Sequence, residues 1–153
     1  MAKNPTILVL NGPNLNMLGQ RQPEVYGRES LKGIETACAA RAKALGLAID
    51  FRQSNIEGEL VTWLQQARGR AAGIVINPAG YGHTSVALLD ALLVTELPVI
   101  EVHLSNIHRR EPFRHHTYTS QAATGVICGL GSQGYLLALD AMANLIKTKK
   151  ARA

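Results

Sequence analysis

Two short segments of this chain carry residues that could act as an acid and a base. Glu101 and His103 lie two residues apart in a strand-like run, so their side chains share one face of the strand. A carboxylate beside an imidazole orients the ring and favours its protonated form. His103 is therefore a candidate general acid, although an ordinary structural ion pair would have the same spacing.

Arg21 and Tyr26 are the candidates for the matching base. A phenol has a pKa of about 10, and it is mostly ionised near neutrality only if that pKa falls by roughly three, which corresponds to about 4 kcal/mol. A neighbouring guanidinium group gives stabilisation of this kind because arginine stays charged. The pair lies in GQRQPEVYG, residues 19–27, whose glycine ends favour a lid. The alternative is an exposed loop tyrosine beside an incidental arginine.

Strand-like and helix-like segments alternate along the chain and must position these residues. Apolar runs predict strands at 6–10, 47–54, 72–78, 97–103 and 124–131. Helical spacing predicts helices at 30–46, 57–69, 84–96 and 132–150, with one helical turn in the polar segment 104–120. This alternation predicts one domain, residues 1–153, with a flavodoxin-like, doubly wound sheet of five parallel strands and helices on both faces. Residues 147–153 are expected to form a basic, frayed tail.

Polar side chains follow three of the predicted strands. Asn11 to Asn14 end the first strand, Asn77 ends the third, and Glu101 and His103 end the fourth. Ligands of doubly wound sheets bind beyond the carboxyl ends of the strands, so a site is expected there. An asparagine before glycine or proline is also a common turn former, which is the alternative for the first two strand ends.

The composition excludes several classes of protein. Hydrophobic residues make up 46% of the chain and charged residues 18%, which excludes a disordered chain, and the apolar runs are too short to cross a membrane. The N-terminus lacks the features of a signal peptide, and Cys38 and Cys128 have no metal or redox spacing, so a reduced, cytoplasmic protein is expected. The net charge of +5 suits a small anionic substrate, whereas nucleic-acid binding would need an accompanying aromatic stripe.

Three motif-based functions are disfavoured. GLGSQG, residues 129–134, matches the glycine pattern of dinucleotide sites, but no further strand with an acidic residue follows it. A tight strand-to-helix turn is therefore the preferred explanation. The five histidines lack the spacing of a metal site, and no GxSxG motif indicates a serine hydrolase. No metal and no cofactor is expected.

Four ordered blocks of the sequence resemble type II 3-dehydroquinate dehydratase. They are NGPNLNMLGQRQPEVYG, NPAGYGHTSVALLDAL, PVIEVHLSNIHRREPFRHHTYTS and GVICGLGSQGYLLAL. The resemblance runs from about Ile7 to Leu145. It implies an enzyme that converts 3-dehydroquinate to 3-dehydroshikimate and water through an enolate, in the shikimate pathway or in quinate breakdown, without metal or Schiff base.

The resemblance also implies catalytic roles for five residues. Tyr26 matches the base that removes the proton next to the ketone, and Arg21 matches the arginine that lowers the pKa of this tyrosine. Asn14 matches the residue that holds a water against the enolate oxygen. His103 matches the acid that protonates the departing hydroxyl group, and Glu101 orients it.

Substrate binding and assembly follow from the same resemblance. The substrate-binding positions are Asn77, His83, Leu104, Ser105 and Arg114. Arg110 matches a second arginine near the tyrosine, and Asp90 matches a residue that reaches a neighbouring subunit's site in a dodecamer built from trimers. The runner-up is a catalytically silent flavodoxin-like module that binds a nucleotide or another anion at the same edge. A biosynthetic and a catabolic role both remain open.

Overall fold

The computed structural model describes residues 3–20 and 29–152 of the chain. Within these residues it contains five strands: β1 (Thr6–Asn11), β2 (Ala48–Gln53), β3 (Gly73–Asn77), β4 (Val99–His103) and β5 (Gly125–Cys128). All of them run parallel in one sheet, in the order β2-β1-β3-β4-β5. This is the flavodoxin-like strand order, so the predicted fold class is confirmed.

The described residues form four α-helices that cover both faces of the sheet. They are α1 (Leu31–Ala44), α2 (Glu57–Ala67), α3 (Val86–Thr95) and α4 (Gln133–Arg152). Helices α1 and α4 pack against Ile7 and Val9 on one face, and α2 and α3 pack against Leu8 and Leu10 on the other. Because side chains alternate between the two faces, a strand covered on both sides is apolar at every position.

Serine side chains cap the starts of α1 and α3. The Ser30 hydroxyl accepts a hydrogen bond of 3.0 Å from the Gly33 N–H at the start of α1. The Ser85 hydroxyl accepts one of 2.9 Å from the Leu88 N–H at the start of α3. Gly46 follows α1 with a φ of 74°, a left-handed conformation that favours glycine.

Two segments differ from the sequence expectation. Between β4 and β5 the chain forms three short 3-10 turns rather than one: Ile107–Arg109, Pro112–Arg114 and Thr119–Ala122. Local hydrogen bonds hold such turns; Asn106 Oδ1, for example, accepts from the His108 N–H over 3.1 Å. Helix α4 continues to Arg152, so the backbone of residues 147–152, expected to fray, is helical. No helix in the described ranges is long and apolar enough to cross a membrane.

Gly12 lets the ends of β1 and β3 approach each other closely. Its N–H donates to the Asn77 carbonyl oxygen over 2.8 Å, and its own carbonyl accepts from the Gln53 side chain over 3.1 Å. A Cβ atom at this position would lie 2.3 Å from the Pro78 carbonyl oxygen. Glycine is therefore required where the two strand ends meet.

We expect Gly12→Ala to lower the free energy of unfolding by about 1–3 kcal/mol, because the added methyl group forces the two strand ends apart. Gly58→Ala is the matched control, since a Cβ there would meet no atom within 4 Å. This helical position should gain about 0.5–1 kcal/mol from the loss of glycine's backbone freedom. Denaturant unfolding of both variants measures the difference, and equal stabilities would contradict the prediction.

Candidate active site

An open cavity of about 310 Å³ lies beyond the carboxyl ends of β1, β3 and β4. Among its lining residues are eight that the sequence analysis placed in the site: Asn14, Asn77, His83, His103, Leu104, Ser105, Arg110 and Arg114. Apolar side chains, including Leu15, Leu18 and Ile107, complete the wall. Residues from three separate chain segments thus meet at the edge where doubly wound sheets bind ligands.

A buried ion-pairing contact joins His103 to Glu101 below the cavity. The His103 Nε2 atom lies 2.8 Å from Glu101 Oε2, and the two side chains are 5% and 0% exposed. An ionised carboxylate only accepts hydrogen bonds, so Nε2 must carry a proton. The Nδ1 atom of His103 is then the ring nitrogen left to act on a molecule in the cavity.

Thr117 and Thr119 complete the surroundings of Glu101. The Thr117 hydroxyl donates to Glu101 Oε2 over 2.8 Å, and the Thr119 hydroxyl donates to Oε1. Burial by itself raises the pKa of Glu101, but the hydrogen bonds from His103, Thr119 and Thr117 outweigh burial and hold that pKa below its ordinary value. The sequence analysis missed both threonines. No spacing in the sequence connects them with Glu101, which lies 16 and 18 positions away.

His83 faces His103 across the cavity. The two rings are stacked, with centroids 6.3 Å apart and an interplanar angle of 21°. The His83 Nδ1 atom lies 2.9 Å from the His116 carbonyl oxygen, which accepts only, so Nδ1 is the protonated nitrogen of the neutral ring. The Nε2 atom of neutral His83 can therefore accept a hydrogen bond from a ligand hydroxyl group.

Asn14 adopts a left-handed backbone conformation at the mouth of the cavity, with a φ of 70°. Its N–H donates to Asn55 Oδ1 over 2.9 Å, and the Gln53 amide also donates to that oxygen over 3.1 Å. Asparagine tolerates this conformation better than most residues. Gln53 at the end of β2 and Asn55 just after it therefore hold Asn14 in place, although the sequence analysis assigned them no role.

A buried neutral network lies beneath Asn77. The Tyr135 hydroxyl donates to Asn11 Oδ1 over 2.7 Å and accepts from Asn77 Nδ2 over 3.0 Å. Asn77 Oδ1 accepts from the Ala79 N–H over 3.1 Å. Burial raises the pKa of Tyr135 above its ordinary value, so this phenol stays protonated. No spacing in the sequence connects Tyr135 with Asn11, which is why the network was not predicted.

Two arginines give the cavity a positive wall. Arg110 Nη1 lies 3.4 Å from the Ser105 hydroxyl oxygen. The Arg114 guanidinium donates to the Glu111 carboxylate and lies 5.1 Å from the centre of the Phe113 ring. The hydrogen bond from Arg114 holds the pKa of the exposed Glu111 below its ordinary value. Both cations line the cavity, which therefore suits an anionic ligand.

Backbone N–H groups add further donors at the end of β4. The N–H groups of Leu104 and Ser105 form no hydrogen bond within the described part of the chain. The Leu104 carbonyl oxygen, in contrast, accepts from the Gly131 N–H over 3.0 Å. Two consecutive free N–H groups on the cavity wall are suited to an anion such as a carboxylate.

Four predicted site residues remain, of which the described Glu101 and Asp90 do not line the cavity. Arg21 and Tyr26 lie outside the described residues. Asp90 lies in the middle of α3, with an exposed side chain.

The GLGSQG segment forms the turn between β5 and α4. Gly129 and Gly131 have φ values of 89° and 60°, and a Cβ on Gly129 would lie 2.9 Å from the Asn106 Cβ. Local backbone geometry therefore accounts for these two glycines. Within residues 3–20 and 29–152, no group of three or more His, Cys, Asp or Glu side chains could hold a metal ion.

Known proteins share both the sequence and the fold. The chain matches the family described as dehydroquinase class II over residues 5–143. It is 65% identical over 135 residues to a 3-dehydroquinate dehydratase 2 of Pseudomonas aeruginosa, covering 88% of this chain and 91% of that protein. It is 58% identical over 151 residues to a 3-dehydroquinate dehydratase of Streptomyces coelicolor, covering 98% of this chain and 96% of that protein.

A solved structure gives the same result. The crystal structure of a type II dehydroquinase from Propionibacterium acnes superposes with a TM-score of 0.89 at 42% sequence identity. The match covers 94% of this chain and 99% of that one. Fold and sequence comparisons therefore point to one family.

We expect Thr119→Val to destabilise the protein by about 1.5–3 kcal/mol at neutral pH, because a buried carboxylate loses a hydrogen-bond donor. Glu101 has a lowered pKa in the folded state, so its contribution is present above the unfolded value of about 4.3 and is lost as pH falls through the folded pKa. The stability difference between wild type and Thr119→Val should therefore narrow in acid.

Denaturant unfolding at neutral and acidic pH measures this difference. Thr119→Ser is the matched control, because it keeps the hydroxyl group and should stay close to wild type at both pH values. A difference between wild type and Thr119→Val that stays constant with pH would contradict the prediction.

Proposed function

This chain belongs to the dehydroquinase class II family, and on that premise we propose how it removes water from 3-dehydroquinate. Tyr26 takes the proton next to the ketone, and His103 assists the loss of hydroxide from the resulting enolate. The chain is thus an enzyme, a hydro-lyase that yields 3-dehydroshikimate. The observation that carries the proposal is the buried contact between His103 and Glu101 at the floor of the cavity.

His103 is the proposed acid. Glu101 holds the Nε2 proton, so the Nδ1 proton of the imidazolium passes to the departing hydroxyl group as the C–O bond breaks, and water leaves. The low pKa of Glu101 keeps its carboxylate ionised, which stabilises the imidazolium before the transfer. A general acid placed in this way typically contributes about 10²–10⁴-fold to the rate.

Tyr26 is the proposed base, with Arg21 beside it. Residues 21–28 lie outside the described residues, so the support comes from Leu18 and Glu29, which precede and follow them in the chain. Leu18 lines the main cavity, and it also lines, with Glu29, a second cavity of about 90 Å³ that shares Leu104 and Ser105 with the main one. The position of these two residues at the cavities supports the proposed role of Tyr26.

The remaining residues are proposed to bind the substrate and the developing charge. Asn14 holds a water against the enolate oxygen, which is stabilised as the proton leaves. The substrate carboxylate is bound by the N–H groups of Leu104 and Ser105 and by Arg114. Asn77 and His83 contact the substrate hydroxyl groups, and Arg110 supports the charge of the phenolate.

Formation of a conjugated enone tests the reaction directly. We expect ultraviolet absorbance to grow when 3-dehydroquinate is added to the protein, and His103→Ala to lower turnover by about 10²–10⁴-fold. His108→Ala is the matched control, because this exposed histidine does not line the cavity. A protein that binds the substrate without forming the enone would be the silent binding module instead.

The role of Arg21 can be separated from simple closure over the substrate. A phenolate base becomes active as pH rises through its pKa, so Arg21→Ala should move the basic-group inflection of the pH–rate profile to higher pH and cut turnover strongly. Tyr26→Phe should abolish turnover. Arg21→Lys should recover only part of the loss, because an ammonium lacks the planar fork of a guanidinium.

Steady-state kinetics across pH measure both effects, with Arg109→Ala as the control for removal of an exposed arginine. If Arg21 only closes over the substrate, Arg21→Ala weakens substrate affinity and the inflection does not move. That result would contradict the proposed effect on the pKa of Tyr26.

We also propose that the chain assembles into a dodecamer built from trimers, with Asp90 near a neighbouring subunit's site. Helix α3 supports this proposal because Val86 and Leu93 are 52% and 56% exposed. Val86, Asp90 and Leu93 are spaced at i, i+4 and i+7, which places them along one side of the helix. An exposed apolar stripe with a carboxylate in its middle is suited to a subunit contact.

Asp90→Ala should weaken both assembly and activity, since a buried carboxylate contact between subunits would be lost. Sedimentation at low protein concentration, with turnover measured at the same concentration, checks both effects. Glu59→Ala, an exposed acidic position on α2, is the control. A fully active Asp90→Ala monomer would contradict the proposal.

A cytoplasmic location is proposed from the two cysteines. Cys38 is buried and Cys128 is partly buried, and both are free. Burial raises the pKa of the Cys38 thiol to about 12, which keeps it protonated and unreactive. Free thiols of this kind are typical of proteins in a reducing compartment.

A further inference from the structure

A line of hydrogen bonds with a fixed direction runs beneath the cavity, from the backbone of β2 to the turn after β3. It starts at the Arg52 carbonyl oxygen, which accepts from Asn11 Nδ2 over 3.0 Å. It continues through the Tyr135 hydroxyl to Asn77 and ends at the Ala79 N–H. Asn11 and Tyr135 are 0% exposed and Asn77 is 3% exposed, so water does not compete for these bonds.

The two backbone ends of this line determine the direction of every bond in it. A carbonyl oxygen only accepts, so the amide nitrogen of Asn11 must face Arg52 and its oxygen must face Tyr135. The single phenol proton is then committed to Asn11, and the phenol oxygen is left to accept from Asn77. At the other end the Ala79 N–H only donates, which places Asn77 Oδ1 on Ala79.

The orientation of the Asn77 amide has two consequences for the cavity. Ala79 has a φ of 52°, a left-handed conformation that is costly for a residue with a Cβ, and the bond from its N–H to Asn77 Oδ1 helps to hold it. Ala79 starts the 3-10 turn that ends at His83 on the cavity wall. The second N–H of Asn77 Nδ2 has no acceptor in the described part of the chain.

We propose that Tyr135 is a positioning residue for substrate binding. Its hydroxyl oxygen accepts one N–H of Asn77 Nδ2, and this bond helps to hold the Asn77 amide with its other N–H available to the substrate. The group that Asn77 binds must then be an acceptor, such as a hydroxyl or carboxylate oxygen of the substrate. Tyr135 itself does not line the cavity and does not touch the substrate. This inference rests on the proposed function, because its effect is measured on the dehydration reaction.

Tyr135→Phe removes the hydroxyl group and keeps the ring. The Asn77 amide is then held only by its bond from the Ala79 N–H, because its Nδ2 group has lost its buried acceptor. KM should therefore rise about tenfold, while kcat changes by less than about threefold. The inflections of the pH–rate profile should not move, because the proposed acid and base are untouched. Leu139→Val is the control for packing, since Leu139 is a fully buried residue one turn further along α4.

Asn11→Ala provides a second, independent variant. Without Asn11 the phenol proton can turn toward Asn77, so this variant should raise KM to a similar extent. Residues that act as a unit are not additive, so Asn11→Ala with Tyr135→Phe should be no worse in KM than either single variant. Multiplied effects in the double variant would overturn the proposal.

The outcomes separate this inference from the proposed function. If wild type forms no enone, the proposed function fails. If wild type is active but Tyr135→Phe lowers the melting temperature and leaves KM unchanged, the role of Tyr135 is structural and only this inference fails. A shifted pH inflection, or a tenfold higher KM in Leu139→Val, would overturn it as well.

Discussion

A fully buried carboxylate, Glu101, is the constraint on which the edge of the sheet depends. An ionised group can remain buried only if hydrogen bonds replace its water, and here His103, Thr117 and Thr119 supply them. Because the Thr117 and Thr119 hydroxyl groups donate to Glu101, residues 117–119 pack against β4. The Tyr118 N–H in turn donates to the Gly82 carbonyl oxygen over 2.8 Å, which ties this segment to the turn after β3. The segment that donates to Glu101 therefore connects the end of β4 with the turn after β3, and both of these line the cavity.

The edge of the sheet contains a second buried network of a different kind. The contacts of Glu101 include a charge and hold an imidazole that can exchange a proton, so they are suited to acid–base chemistry. The hydrogen bonds through Asn11, Tyr135 and Asn77 involve no charged group, and each can form with only one donor and one acceptor. They are therefore suited to fixing the orientation of the Asn77 N–H donor. A preorganised site needs both, because chemistry requires a labile proton and binding requires groups that do not reorient.

Parallel strand order explains why both networks lie at one edge. The carboxyl ends of β1, β3 and β4 are neighbours in the sheet, although they are far apart in the sequence. Gly12 allows the first two of these ends to approach each other, since any Cβ there would collide with Pro78. The described residues thus supply the proposed acid and binding groups. The proposed base, Tyr26, lies outside the described residues.

The sequence by itself determined the strand and helix order, the fold class and the pairing of Glu101 with His103, because periodicity and an i, i+2 spacing are local properties. The ordered blocks also indicated the family. Only the tertiary structure decided which hydroxyl groups bind Glu101, that Asn55 holds Asn14, and that Tyr135 connects Asn11 to Asn77. These contacts join residues up to 124 positions apart. Such pairs form because packing brings the strand ends and α4 together, and nothing in the local pattern of either partner specifies the other.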